Sequence, residues 1–379
     1  MMVSFKMTNK RIERLIVLYA VLIALLFTAG CSGFGKKPSD DLPETYVGTQ
    51  GVEAWFAPDS VPANAVEGGT YDVVLLLANK GAVDVPVNDV VIAVLDQRGD
   101  FTFDKTILEG SALSELLADK ATVLQGKASN GIGYVNGINL NVKANPLSAK
   151  ATDQTGFLAT VCTTYATKLT ANVCVDASTY SFQKQRKPCD PQVPIALQSQ
   201  GAPVAIKKIE TLTPDLVGSA VKPKFKIYIG NVGNGIVVDR NDINSFCTKP
   251  KEGSKIFLVN VDNVELNGKR LTCNRKDDKG NEYLILSGNL ANDYVICSYD
   301  GADFIKGSGT FASPLKVGLS YGYTITSDPV PVTVERKIQC TEGDEESCSI
   351  NGGGTGTQKC VDGHWTVCSI DKKPPYRNI

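Results

Sequence analysis

The sequence predicts an all-β protein: two Ig-like β-sandwich domains in tandem, an N-terminal signal or anchor helix, and a small disulfide-rich C-terminal module. Three observations carry this reading. From about Tyr46 onward short apolar runs recur between Gly, Pro and Asn, several with period-two alternation. Beyond the N-terminus a single stretch, Ser111–Lys120, reads as a helix. Eleven cysteines stand beside one histidine, His364, the balance of an exported, oxidised chain.

Charge and composition narrow the function classes. With 39 basic and 40 acidic residues the net charge is −1, so nothing attracts nucleic acid in bulk, and no nucleic-acid partner is expected. His364 lies near the C-terminus, which leaves the rest of the chain without imidazole. Ser-His-Asp, Cys-His and His-rich zinc sites are excluded there. Gly352-Gly353-Gly354-Thr355-Gly356 lacks the lysine and the strand–helix context of a phosphate cradle. No cofactor, no metal and no enzymatic activity are expected.

Residues 1–30 read as a signal peptide or membrane anchor. Lys6, Lys10, Arg11 and Arg14 precede the apolar run Leu15–Phe27, which ends in Thr28-Ala29-Gly30-Cys31. The run is short against the roughly 20 residues of a membrane span. Ala29-Gly30-Cys31 resembles the lipobox of lipoprotein signal peptides, which implies that Cys31 is the lipid attachment site and the new N-terminus. Thr28 departs from the usual leucine-like residue of that motif. An uncleaved helical anchor and plain secretion are the alternatives. Residues 31–48, polar and proline-bearing, read as a flexible tether.

The first sandwich is assigned to residues 49–198. Val52–Ala57, Tyr71–Ala78 and Asp89–Leu95 are expected strands; Val73, Leu75 and Leu77 share one face, and apolar Val74 and Leu76 imply cover on the other. Ser111 is expected to cap the helix. Asn136-Gly137 within Tyr134–Leu140 is a hairpin signal. Phe157–Val175 reads as a hairpin folding near Lys168, which would set Cys162 opposite Cys174; Cys189, beyond the basic stretch Lys184–Lys187, is an equal partner for either.

The second sandwich is assigned to residues 199–337. Phe225, Ile227 and Ile229 alternate with Lys224, Lys226 and Tyr228 as a half-buried strand. Ile256–Val261, Val264–Leu266, Lys269–Thr272, Tyr283–Leu286, Asp293–Cys297, Leu315–Thr324 and Val330–Glu335 follow, with a tight turn at Asn267-Gly268. The two units read as diverged copies. Gln50-Gly51 and Gln200-Gly201 open them, and each carries a strand running into Asn-x-Gly: Asn79-Lys80-Gly81 and Asn231-Val232-Gly233.

That strand, Asn-x-Gly and second strand, over residues 69–95 and 223–238, resembles the CARDB-type adhesion-related domains and S-layer-type repeats of prokaryotic surface proteins. The resemblance covers little of the chain and brings no active site with it. It implies a structural, adhesive or scaffolding role outside the cell, with other surface proteins or envelope polymers as partners and the membrane engaged through the N-terminal anchor.

Residues 338–379 form the disulfide-rich module, with Cys340, Cys348, Cys360 and Cys368 around a glycine-rich centre and Trp365 expected on the bridges. With Cys31 set aside, Cys162, Cys174, Cys189, Cys247, Cys273, Cys297, Cys340, Cys348, Cys360 and Cys368 are disulfide candidates. They fall three, three and four over the three segments, so full pairing requires a bridge between segments, and Cys189 is the expected linker. Two loops offer oxygen ligands of the kind calcium takes, Asp239-Arg240-Asn241-Asp242 and Asp277-Asp278-Lys279-Gly280-Asn281-Glu282, but neither has calcium-loop spacing and both read as solvated turns. Glu342–Glu346 and Lys184–Lys187 read as solvated charge runs. The leading function is a membrane-anchored extracellular surface protein with a structural, adhesion or protein-interaction role. A solute- or ligand-binding envelope lipoprotein is second and a carboxylate-based hydrolase third.

Overall fold

The computed structural model describes residues 47–147, 152–178, 187–248, 256–289, 292–337, 340–350 and 354–369. All of them fall in one compact unit, Leu42–Ile379. In chain order the strands are β1 (Val52–Phe56), β2 (Asn64–Val66), β3 (Thr70–Asn79), β4 (Val85–Pro86), β5 (Val90–Asp96), β6 (Phe101–Phe103), β7 (Ile107–Glu109), β8 (Val123–Leu124), β9 (Tyr134–Ala144) and β10 (Thr152–Asp176). Next come β11 (Ile195–Ala196), β12 (Val204–Val217), β13 (Ala220–Asn231), β14 (Ile236–Val238), β15 (Leu258–Leu266), β16 (Lys269–Arg270), β17 (Thr272–Cys273), β18 (Tyr283–Ile285), β19 (Tyr294–Ser298), β20 (Thr310–Thr326) and β21 (Val330–Glu335). The tail holds β22 (Glu345–Ile350), β23 (Gly354–Val361) and β24 (His364–Trp365). The all-β class stands. Among the described residues no helix is long and apolar enough to cross a membrane; the run Leu15–Phe27 and Cys31 lie outside them.

Two long strands form the spine. β10 and β20 pair antiparallel from Thr160↔Thr326 to Asp176↔Thr310. β5 and β21 add to β10, and β14 and β15 to β20, in one ten-stranded sheet. Two smaller sheets, β1-β3-β9-β6 and β11-β12-β13-β19-β17, complete the layers. The N-terminal part of β10 floors the first: Phe157 has ring centroids 5.5 Å from Phe56, 4.7 Å from Phe101 and 5.1 Å from Phe103. Its C-terminal part lies against the second, where Thr167 Oγ1 donates to the Val204 carbonyl (2.6 Å) and Thr211 Oγ1 to that of Cys174 (3.2 Å). One hydrophobic core results, running from Phe56, Leu75 and Phe157 to Phe225, Ile227 and Tyr321.

Strands from both sides of the 198/199 boundary therefore share a sheet and a core. The cause is the length of β10. Phe157–Val175 is no hairpin; it belongs to one 25-residue strand, and Lys168 stands in register with Gly318. No Gly, Pro or Asn interrupts residues 163–171, so nothing offers a turn, and a β20 of 17 residues supplies a partner along that length. The Asn136-Gly137 hairpin is absent for a related reason. β9 runs unbroken beside β3, with Gly137 opposite Leu76 and its missing Cβ leaving room for Val74. Asn267-Gly268 does turn, with both φ angles positive (50° and 77°). The short helix spans Gly110–Leu116 with Glu109 at its N-cap, so Ser111 lies inside it and caps nothing.

The paired Asn-x-Gly turns close alike. Asn79 donates from Nδ2 to the Val83 carbonyl and accepts from Gly81 N on Oδ1; Asn231 donates from Nδ2 to the Gly235 carbonyl and accepts from Gly233 N on Oδ1. Each turn sits under a tyrosine of the opposite long strand. A Cβ on Gly81 would strike the Tyr165 hydroxyl, and one on Gly233 the Tyr323 hydroxyl. Glycine is required by that close approach.

Candidate functional site

Each of the ten described cysteines has a bridge partner. The pairs are Cys162–Cys247, Cys174–Cys189, Cys273–Cys297, Cys340–Cys360 and Cys348–Cys368. Cys162 and Cys174 face different neighbours because one continuous strand holds both. Cys189 is bridged within its own segment. The bridge between segments is Cys162–Cys247, which ties β10 to the helix Ile243–Thr248 beside buried Val91, Val238 and Ile243. In the tail Trp365 stands opposite Cys360 in the ladder.

The two acidic loops, far apart in sequence, line the same cleft of about 830 Å3. Its floor is one face of the β15–β18 ladder. Leu258 pairs with Ile285 and Asn260 with Tyr283, while the intervening Val259 and Leu284 are buried in the core. Asp239-Arg240-Asn241 forms one rim. Lys276–Glu282, closed by a bridge between its ends, forms the other. At the floor's edge Phe257 holds a left-handed φ of 65°, fixed by its N–H to the Val237 carbonyl (2.6 Å) and by Leu286 N to its own carbonyl (2.8 Å).

The polar side chains are wired to one another. Arg240 Nη1 donates to Ser320 Oγ (2.7 Å), which donates to Asp262 Oδ1 (2.8 Å); the same guanidinium nitrogen lies 3.5 Å from that carboxylate oxygen. Arg270 Nη1 donates to the Asp262 carbonyl (2.7 Å) and to Asn263 Oδ1 (3.0 Å), and its Nη2 reaches Glu282 Oε2 (3.4 Å). Glu282, buried, accepts from Cys273 N (2.8 Å) and has Lys276 at 3.9 Å. Asp277 accepts from the Asn281 side chain and from the N–H groups of Asn281 and Lys279. The Asn281 side-chain bond leads in holding the Asp277 carboxyl below the usual carboxylate range. Carboxylates outnumber cations around the cleft: Asp239, Asp262, Asp277, Asp278 and Glu282 face Arg240, Arg270 and Lys276. Yet among the described residues no three His, Cys, Asp or Glu side chains converge to hold a metal ion.

Tyr283, Asn260 and Arg270 line this cleft, and Ser320 braces its Arg240 and Asp262; none was singled out from the sequence. Alternation in Tyr283–Leu286 marks a strand but does not say what its outer face overlooks. Ser320 and Asp262 are 58 residues apart and meet only through the β15–β20 pairing.

No family model and no curated protein matches the chain. Among solved structures it is similar to the secreted serine protease VesC from Vibrio cholerae, at 10% identity and a TM-score of 0.17, over 74% of this chain and half of that one. It is also similar to the C-terminal domain of the Streptococcus pyogenes antigen I/II-family protein AspA (9% identity, TM-score 0.16, 76% of this chain and 100% of that one). A third is the serine-rich repeat adhesion glycoprotein Srr1 from Streptococcus agalactiae (10%, 0.16, 76% and 96%). Overlaps this slight carry no function across.

Proposed function

We propose that this is a membrane-anchored extracellular surface protein that works by binding, in a structural, adhesion or protein-interaction role. The observation that carries the proposal is the set of five disulfides, one of which ties β10 to the helix Ile243–Thr248. Such bonds persist outside reducing compartments. Cys31 would carry the lipid, and residues 31–48 would hold the sheets away from the membrane. The cleft supports binding over hydrolysis. Its acidic groups are held in fixed bonds, Glu282 to Cys273 N and Arg270 and Asp277 to Asn281, as suits a preorganised binding surface. The same cleft favours a second reading, a solute- or ligand-binding envelope lipoprotein.

Labelling intact cells with a membrane-impermeant amine reagent tests surface display; the exposed lysines should be modified, and protection until lysis would overturn it. Mass mapping of the mature N-terminus tests the anchor. A diacylated Cys31 is expected, and an unmodified N-terminus downstream of it would refute lipidation.

A further inference from the structure

We propose that the cleft over the β15–β18 ladder is a carbohydrate-binding site that takes a short neutral oligosaccharide. The proposal rests on reading the chain as a binding protein and names the ligand class. Four properties of the cleft converge on it. Its volume of about 830 Å3 is that of a site for a small organic molecule, well beyond an ion. Its lining is mainly charged and amide side chains, so an apolar ligand would desolvate many polar groups for little buried carbon. The excess of carboxylates over cations disfavours an anion. Ion pairs engage Arg270 with Glu282 and Arg240 with Asp262, which sets donors and acceptors side by side along the lining.

Hydroxyl groups suit such a lining, because each both donates and accepts. Among the described residues Asp262 takes its two side-chain contacts on Oδ1, leaving the lone pairs of Oδ2, and Arg240 donates through Nη1, leaving the N–H groups of Nη2 and Nε. Both side chains are already ordered by Ser320, so the entropy lost on binding is reduced. Tyr283, half-buried beside the Leu258–Ile285 row, offers an apolar surface to the C–H face of a sugar ring. The floor itself is a two-sided ladder locked to the core, which keeps these groups at fixed spacing.

The test is a glycan array of defined neutral, acidic and amine-bearing oligosaccharides, probed with the mature protein and followed by calorimetry on the hits. A neutral oligosaccharide should bind, with an affinity unchanged by added salt. Asp262→Asn, which keeps the shape of the side chain, and Tyr283→Ala should each weaken it by about tenfold or more. In the unaltered protein the same oligosaccharide should protect Arg240 from phenylglyoxal, read by peptide mapping, a measurement that needs no variant to fold. Binding that survives both substitutions without protecting Arg240, or binding confined to charged ligands and abolished by salt, overturns the proposal. A blank array from protein still labelled on intact cells overturns the carbohydrate assignment and leaves surface display standing. Glycan binding by a protein shielded from labelling overturns surface display alone.

Discussion

Asp176 shows at residue scale how polar groups are kept inside these sheets. It ends β10 with its side chain buried, where it accepts from Lys187 Nζ (2.6 Å), Ser178 Oγ (2.6 Å) and Thr310 Oγ1 (2.9 Å). Burial pushes its carboxyl up, but the bonds from Lys187, Ser178 and Thr310 outweigh it and hold the group well below the ordinary carboxylate range. A carboxyl depressed in the folded state stabilises the fold at any pH above its unfolded value of about 4, and that stability is lost as pH falls through the folded value. Urea unfolding should therefore show stability declining from about pH 5 downward. Asp176→Asn should cost about 1–2 kcal/mol at pH 7 and flatten the acid limb; an unchanged acid limb would refute the assignment. The residue lies just past the valine-rich end of β10, so its burial could be suspected, but Thr310 reaches it only through the far end of the β10–β20 ladder.

Bridges and strand pairing decide stability at the scale of elements. Cys162–Cys247 closes 85 residues of chain and Cys174–Cys189 only 15. In the loop-entropy account the first should stabilise by about 4–5 kcal/mol and the second by about 3. Replacing both cysteines of each pair by alanine and comparing denaturation midpoints should show the larger loss for Cys162 and Cys247. Equal losses would mean that local packing, around Val91 and Ile243 in one case, governs both. Legibility also divides at this scale. β1, β3, β5, β13 and β20 could be read from alternation and from runs apolar on both faces. The extent of β9 could not, because Asn136-Gly137 is a sound local turn signal overridden by an available partner strand; that of β10 could, since residues 163–171 hold no Gly, Pro or Asn. Local chemistry proposes a turn, and the ladder beside it decides whether the chain makes one.

At the scale of the molecule, the long β10–β20 pair draws strands from both sides of residue 198 into one sheet. A fragment of residues 47–198 would keep its own small sheet but lose β20 and β21, leaving much of β10 an unpaired edge. Expressed alone, it should be insoluble or lack a cooperative transition, whereas co-expression with residues 199–369 should recover both. An independently folding first half, seen as a sharp transition by circular dichroism, would contradict the shared core. The candidate cleft belongs to this scale as well, since its two rims and its floor come from three separate stretches of chain joined by the β15–β18 and β15–β20 pairings.

The sequence by itself determined the all-β class, most strand positions, the tight turn at Asn267-Gly268 and the need for a bridge between segments. These follow from side-chain periodicity, from residues that tolerate positive φ, and from the parity of the cysteine count. Tertiary structure alone decided that Cys247 is the partner of Cys162, that β9 does not turn at Asn136-Gly137, and that two acidic loops line one cleft with Tyr283. Each depends on which strands lie side by side. Pairing between distant strands is selected by the burial of the whole sheet, and no local pattern encodes it.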